Sequence, residues 1–184
     1  MGSGPARNDK NAGRELEEID LDVGEREDAS ENRGILRSDR VFIVHGHDEG
    51  MRESVARVLT QLGLKPVILH EQPERGRTIN EKFFDYSDVG FAVVLLSADD
   101  MGHAKSNDPD TAQPRARQNV ILELGFFLGR LGRENVVVLY KDDIEIPSDY
   151  SGVLYTPYDS GGAWPYKLTR ELRERGYSVS ADNL

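Results

Sequence analysis

Cysteine is absent from the chain. That excludes disulfides, thiolate zinc sites and cysteine nucleophiles, and it leans toward the cytosol. Long apolar runs are also missing. No stretch approaches the roughly 20 residues that a membrane-spanning helix needs, and no apolar signal-peptide core stands near the start. Basic side chains are in deficit, 23 against 33 acidic, for a formal charge of −10. A surface of that sign does not favour double-stranded nucleic acid, whose binding rests on phosphate neutralisation. There is no phosphate-loop Gly-Lys-Ser/Thr and no Gly-x-Gly-x-x-Gly after the first apolar run, so ordinary NTPase and dehydrogenase readings fail.

What is there divides unevenly. Residues 1–39 read as a disordered acidic tail or linker. The segment from Arg14 to Asp28 is charged, with few apolar residues and no aromatic. It cannot bury enough surface to offset its ordering entropy. It is either a plain linker or a tether to a sensor domain or partner outside the chain. Residues 40–184 read as one domain.

Within that domain, short apolar runs alternate with helical periodicity. Val41-Phe42-Ile43-Val44 is β-branched and continuous, the mark of a strand buried on both faces. A helix follows from about Glu49 to Leu62, with Met51, Val55, Val58, Leu59 and Leu62 inward. Pro66 to Leu69 is a second strand. The loop His70 to Arg77 comes next, and then Thr78 with Glu81 forms a capping box for a helix running to about Tyr86. Phe91 to Leu96 and Asn135 to Tyr140 are further buried strands, and Gly152 to Tyr155 a fifth. A polar loop from Met101 to Pro114 leads into a long helix ending at Gly132. A last helix spans about Trp164 to Arg175. Strands and helices in alternation imply βαβ units and a five-stranded parallel sheet with helices on both faces, a flavodoxin-like α/β fold. Ligands of such sheets bind outside the carboxyl ends of the strands.

The long helix carries the main chemical candidate. Val120, Leu124, Phe127, Leu128 and Leu131 form its core stripe, and Glu123 falls at the edge of that stripe. Asn119 lies one turn earlier on the same edge. As structure, Glu123 is a helix-edge carboxylate paired with a nearby arginine. As chemistry, it is a carboxylate poor in water beside a strand-end crevice. Gly125 and Gly129 each cost about 1 kcal/mol relative to Ala inside a helix, so a strand, a helix or a ligand is expected close by. Arg75, Arg77, Arg115 and Arg117 are either a solvated loop set or phosphate contacts. Gly46 lies in a His45-Gly46-His47 turn that lets a ligand approach the backbone. No third or fourth ligand follows at zinc spacing, so no metal site is expected. Ser97 follows the third strand without an evident partner base.

The segments Arg117 to Val120 and Glu123 to Gly132 resemble the prokaryotic TIR-like domain of the predicted nucleotide-binding protein family, from which bacterial antiphage effectors are drawn. So do Val41 to Gly46 and Ile146 to Asp149 with Gly152-Val153. The resemblance covers about residues 40–180. It implies a TIR fold whose loop after the second strand, here 70–77, mediates self-association. It implies cleavage of NAD⁺ at the nicotinamide–ribosyl bond on assembly, with Glu123 in the place of the catalytic glutamate. NAD⁺ is then substrate and no cofactor is needed. Gly46, His47, Ser97, Arg77, Arg115, Arg117 and Asn119 are the expected contacts to it. Two alternatives remain open: a non-catalytic TIR-type assembly or nucleotide-binding signalling module, and a nucleoside deoxyribosyltransferase-like glycosyl transfer. A phosphoacceptor reading with Asp99 and Lys141 lacks the acidic pair that it needs directly after the first strand.

Overall fold

The structure, a computed structural model, describes residues 1–2, 38–69, 84–147 and 152–184. Nearly all of the expected tail, the 70–77 loop with Arg75 and Arg77, and the Thr78–Glu81 capping box lie outside these residues. Everything described from Ser38 onward belongs to one unit, Leu36–Leu184.

Five strands form one sheet: β1 (Arg40–Val44), β2 (Lys65–Val67), β3 (Phe91–Leu96), β6 (Val136–Tyr140) and β7 (Leu154–Pro157). Their order is β2-β1-β3-β6-β7 and every pairing is parallel. Two further strands, β4 (Asp100–Gly102) and β5 (Gln113–Arg115), pair antiparallel in a small hairpin of their own. All six residues of β3 are buried, as are Val41 to Val44 and Val136 to Leu139. Continuous β-branched and aliphatic runs produce this because both sheet faces are covered, leaving no solvent face for polar side chains to alternate onto.

Three helices of more than one turn are described: α1 (Glu49–Gln61), α2 (Gln118–Leu131) and α3 (Trp164–Glu174). One face packs Val41, Ile43, Val93 and Leu95 beneath Met51, Val55 and Leu59 of α1 and Trp164, Leu168 and Leu172 of α3. The opposite face packs Phe42, Val44, Val94 and Leu96 beneath Val120, Leu124 and Phe127 of α2. The rings of Phe42 and Phe127 meet with centroids 4.8 Å apart. Asp159 caps α3, its carboxylate accepting from the backbone N–H of Ala163 and of Trp164 at 3.1 Å each. The flavodoxin-like TIR architecture expected from the sequence is the one observed.

Some boundaries differ for identifiable reasons. The long helix begins at Gln118 rather than near Pro114, because Gln113 to Arg115 are engaged in β5, with Asp100 opposite Arg115 and Gly102 opposite Gln113. The stretch from Met101 to Pro114 is therefore a hairpin rather than a plain loop. The last strand starts at Leu154 rather than Gly152, because Gly152 has φ +87°, a left-handed conformation that no strand accommodates. β2 spans Lys65–Val67 rather than Pro66 to Leu69; it is an edge strand, where a proline is tolerated. At Gly129 a Cβ would meet nothing within 4 Å. Among the described residues no close neighbour accounts for that glycine.

These contacts fix two expected outcomes on α2. Leu124→Ala, in the fully buried stripe, should lose about 3 kcal/mol of unfolding free energy. Gly129→Ala should gain about 0.5–1 kcal/mol, since helix propensity improves and no neighbour is displaced. Urea denaturation of the two variants measures both.

Candidate functional site

The strand order reverses at β1, whose two neighbours are β2 and β3. A parallel sheet opens a crevice beyond the carboxyl ends of its strands at such a switch point. The residues that leave β1 and β3 there are His45 to Asp48 and Ser97 to Asp99. They are interlocked. Asp99 accepts the His47 backbone N–H at 3.2 Å on Oδ2 and the Ser97 hydroxyl at 3.0 Å on Oδ1. A Cβ at Gly46 would run into the Asp99 carboxylate. Gly46 therefore permits a close approach, as its turn suggested, but the group that comes close is a side chain of the same protein.

A second connection closes the crevice on the far side. Asp48 caps α1, accepting the Met51 N–H at 2.9 Å on Oδ1, while its Oδ2 accepts from Lys141 Nζ at 2.7 Å. Lys141 directly follows β6, so the pair bridges the ends of β1 and β6 over β3. The Lys141 ammonium, through that hydrogen bond, holds Asp48 below the usual carboxylate range, and the carboxylate in turn raises Lys141. The pair is partly open to water, so its contribution to stability is small.

Arg117, at the N-cap of α2, donates from its guanidinium to His47 Nε2. A guanidinium can only donate, so Nε2 is the acceptor in this contact. His45 Nδ1 lies 2.7 Å from the Gly46 carbonyl. Among the described residues no group of three or more His, Asp or Glu side chains is placed to hold a metal ion.

Glu123 stands two turns along α2 from Arg117, half-buried. Among the described residues its carboxylate makes no hydrogen bond and no ion pair. Burial alone pushes its pKa up, from an ordinary 4.5 to about 7. The cation on its own helix edge, Arg130, is engaged elsewhere: Nε donates to the Ser87 carbonyl at 3.1 Å, and a terminal nitrogen lies 3.9 Å from Asp88. Among the described residues, no arginine partner of a purely structural Glu123 is found. Asn119, one turn before it, is exposed.

The expected contact residues thus separate. Gly46, His47, Ser97 and Arg117 gather at the crevice. Asn119 shares the Glu123 edge, and Arg115 lines pockets beside the β4–β5 hairpin. Arg77 lies outside the described residues. Asp99, Asp48 and Lys141 hold the crevice together, and no candidate set read from the sequence for NAD⁺ contacts contained them. Their signal was available: Lys141 directly follows a buried apolar run, Asp99 comes three residues after another, and Asp48 stands at the start of the helix after the first.

Two outcomes follow. Gly46→Ala should destabilise by about 1–3 kcal/mol by forcing the Asp99 carboxylate aside, and most of that penalty should vanish in an Asp99→Ala background. Equilibrium unfolding of the two single variants and the double variant gives the coupling. For Glu123, the folded protein retains its proton between pH 4.5 and about 7 while the unfolded chain releases it. Its contribution is therefore fully present below pH 4.5 and is lost as pH rises to 7, a change on the order of 2 kcal/mol with the residual solvent contact allowed for. Glu123→Gln should remove that slope in unfolding measured at pH 5 and pH 8.

Comparison with known proteins agrees with this architecture. A family described as "CAP12/Pycsar effector protein, TIR domain" matches residues 40–160. The chain is 50% identical over 146 residues to the uncharacterized protein YuaY of Escherichia coli K12, covering 79% of this chain and 48% of that protein. It is 35% identical over 128 residues to protein tirC of Dictyostelium discoideum, 65% of this chain and 64% of the relative. It is 39% identical over 70 residues to the Pycsar effector protein BcPycTIR of Burkholderia cepacia, 37% of this chain and 22% of that protein. The chain therefore spans between about a fifth and two thirds of these relatives. Through residues 40–160, it belongs to the TIR-domain family of the CAP12/Pycsar effector proteins.

Proposed function

We propose that this chain is a NAD⁺ glycohydrolase of the TIR type, cleaving the nicotinamide–ribosyl bond when copies assemble, and that it serves as an effector in antiphage defence. The observation that carries the reading is Glu123: a half-buried carboxylate on α2 with no partner among the described residues and a pKa raised by burial to about 7. A structural glutamate at such a cost would be paired. The family membership supports the role in defence, and the names of the Pycsar relatives support an effector.

The chemistry asks little of the site beyond one carboxylate. Nicotinamide leaves a cationic bond as a neutral group, so no general acid is required. Positive charge develops on the ribose as an oxocarbenium ion. An ionised Glu123, held in a poorly solvated position, stabilises that charge or orients the ribose hydroxyls. Asn119, on the same helix edge, positions the ribose or Glu123. Arg117, His47, Gly46 and Ser97 form the crevice wall on the N-terminal side of α2; the sequence offers Arg77 as a further contact to NAD⁺. Self-association runs through the 70–77 loop, and the activating sensor lies in another domain or another protein.

The test is nicotinamide release from NAD⁺ by the chain fused to an oligomerising tag, beside the same fusion carrying Glu123→Gln. Release should fall by at least about 10²-fold in the variant. In the parent it should rise with pH through about 7, as Glu123 loses its proton. Release that survives the substitution would remove Glu123 from the mechanism. No release from the enforced oligomer favours the non-catalytic assembly module.

A further inference from the structure

A cation elsewhere in the domain lacks a counterpart. Arg115 ends β5, and its guanidinium lies against Gly102 of the facing strand so closely that a Cβ there would collide with it. The Arg115 Nε is buried and has no hydrogen-bond partner. Among the described residues the side chain makes no ion pair, although Glu145 is its neighbour through a parallel backbone bridge. A buried N–H left without an acceptor is costly, and the half-buried guanidinium that carries it presents planar donors that match an oxyanion.

Two cavities meet at this arginine. One, of about 350 Å³, lies between the 103–113 loop and Glu145, and Gly102, His103, Asn107 and Gln113 line it together with Arg115. The other, of about 210 Å³, is bounded by Arg115 and Glu145 with Ala116, Ile121 and Pro147. The loop around the first is already held by its own bonds: the Thr111 hydroxyl donates to the Asp108 carbonyl at 2.6 Å, and Gln113 Nε2 donates to the Thr111 carbonyl at 3.2 Å. Glu145 is fixed through its backbone N–H, which donates to the Pro114 carbonyl at 2.8 Å. The site is thus built from a cation, a carboxylate that can accept donors, and an apolar slot beside them.

We propose that these two adjacent cavities, which share Arg115 and Glu145, bind a nucleoside monophosphate: phosphate on Arg115, ribose hydroxyls or exocyclic amine toward Glu145, and the flat base in the slot walled by Ile121 and Pro147. The combined volume falls in the range of small-ligand pockets. One cation beside one carboxylate fits a single phosphate with a donor-bearing body better than a polyphosphate. The site is separate from the Glu123 edge. Ile121 and Glu123 are two residues apart on α2 and so about 200° apart around it, on opposite flanks. The proposal therefore does not depend on NAD⁺ cleavage.

The experiment is heteronuclear NMR titration of the full chain with AMP, adenosine, ribose 5-phosphate and inorganic phosphate. AMP should shift the amides of residues 102–104, 111–113, 115, 116, 121 and 145 saturably, at least about tenfold more tightly than the other three probes. Arg115→Met should weaken AMP by about tenfold or more. Glu145→Ala, at an exposed side chain whose loss spares the fold, should weaken AMP several-fold and leave inorganic phosphate unchanged. Glu123→Gln should leave AMP affinity unchanged, whether or not that variant abolishes nicotinamide release. Shifts confined to the Glu123 edge, AMP binding that survives Arg115→Met, or inorganic phosphate binding as tightly as AMP would each overturn the proposal.

Discussion

Both faces of the central sheet are sealed, and the placement of the chemistry follows from that. In β1, β3 and β6 every residue from Val41 to Val44, Phe91 to Leu96 and Val136 to Leu139 is buried under helices or neighbouring strands. A polar side chain within those runs would lose its water without gaining a partner, at a cost of several kcal/mol. The first positions where the chain can carry polar groups are the strand ends. Ser97 and Lys141 directly follow β3 and β6, while Asp48 and Asp99 follow within a few residues of β1 and β3. Once there, they sit beside one another because parallel strands finish at one edge. Lys141 can reach Asp48 across β3 only because all three strands run the same way.

The second consequence concerns α2. A helix laid on one face of the sheet buries a narrow stripe, Val120, Leu124 and Phe127, and presents a flank on either side of it. Glu123 occupies one flank and Ile121 the other. At the N-terminal end Arg117 ties the helix to His47 at the crevice. The helix is therefore held at its start by a polar contact and along its length by apolar ones, and both flanks keep a defined position relative to the strand ends. A carboxylate raised by burial on one flank and the buried, unpartnered Nε of Arg115 near the other are two separate departures from full pairing. With Asp48, Lys141 and Asp99 paired at the strand ends, such departures are where ligands are expected.

How far the sequence revealed this depends on the length of the signal. The buried runs and the 3.6-residue stripes were long, so the strands, the three helices and the Glu123 edge could be read directly. The β4–β5 hairpin could not. Each strand has three residues, Asp100-Met101-Gly102 and Gln113-Pro114-Arg115, with no β-branched side chain and a proline in one of them. Their pairing is a tertiary fact. The same hairpin moved the helix start to Gln118 and divided the arginines. Arg115 and Arg117 are two residues apart, yet the chain turns from strand into helix between them, and one faces the hairpin cavities while the other reaches His47. A basic cluster in sequence became two unrelated sites in space. The Asp99–Gly46 contact was equally invisible, since it joins residues 53 positions apart through the geometry of two strand ends.

That contact also bears on what the crevice accepts. A glycine turn with a free backbone N–H is well suited to an anion. Here the N–H of His47 and the hydroxyl of Ser97 are already given to the Asp99 carboxylate, which fills the space that Gly46 leaves. A phosphate entering the same spot would have to displace a like charge. A sugar hydroxyl would not, because a carboxylate with remaining lone pairs accepts donors. Asp99 thus turns an anion cradle into an acceptor; of the cations nearby, Lys141 is given to Asp48 and Arg117 donates to His47. A ligand seated there would direct hydroxyls toward Asp99 and leave any negative charge toward Arg117.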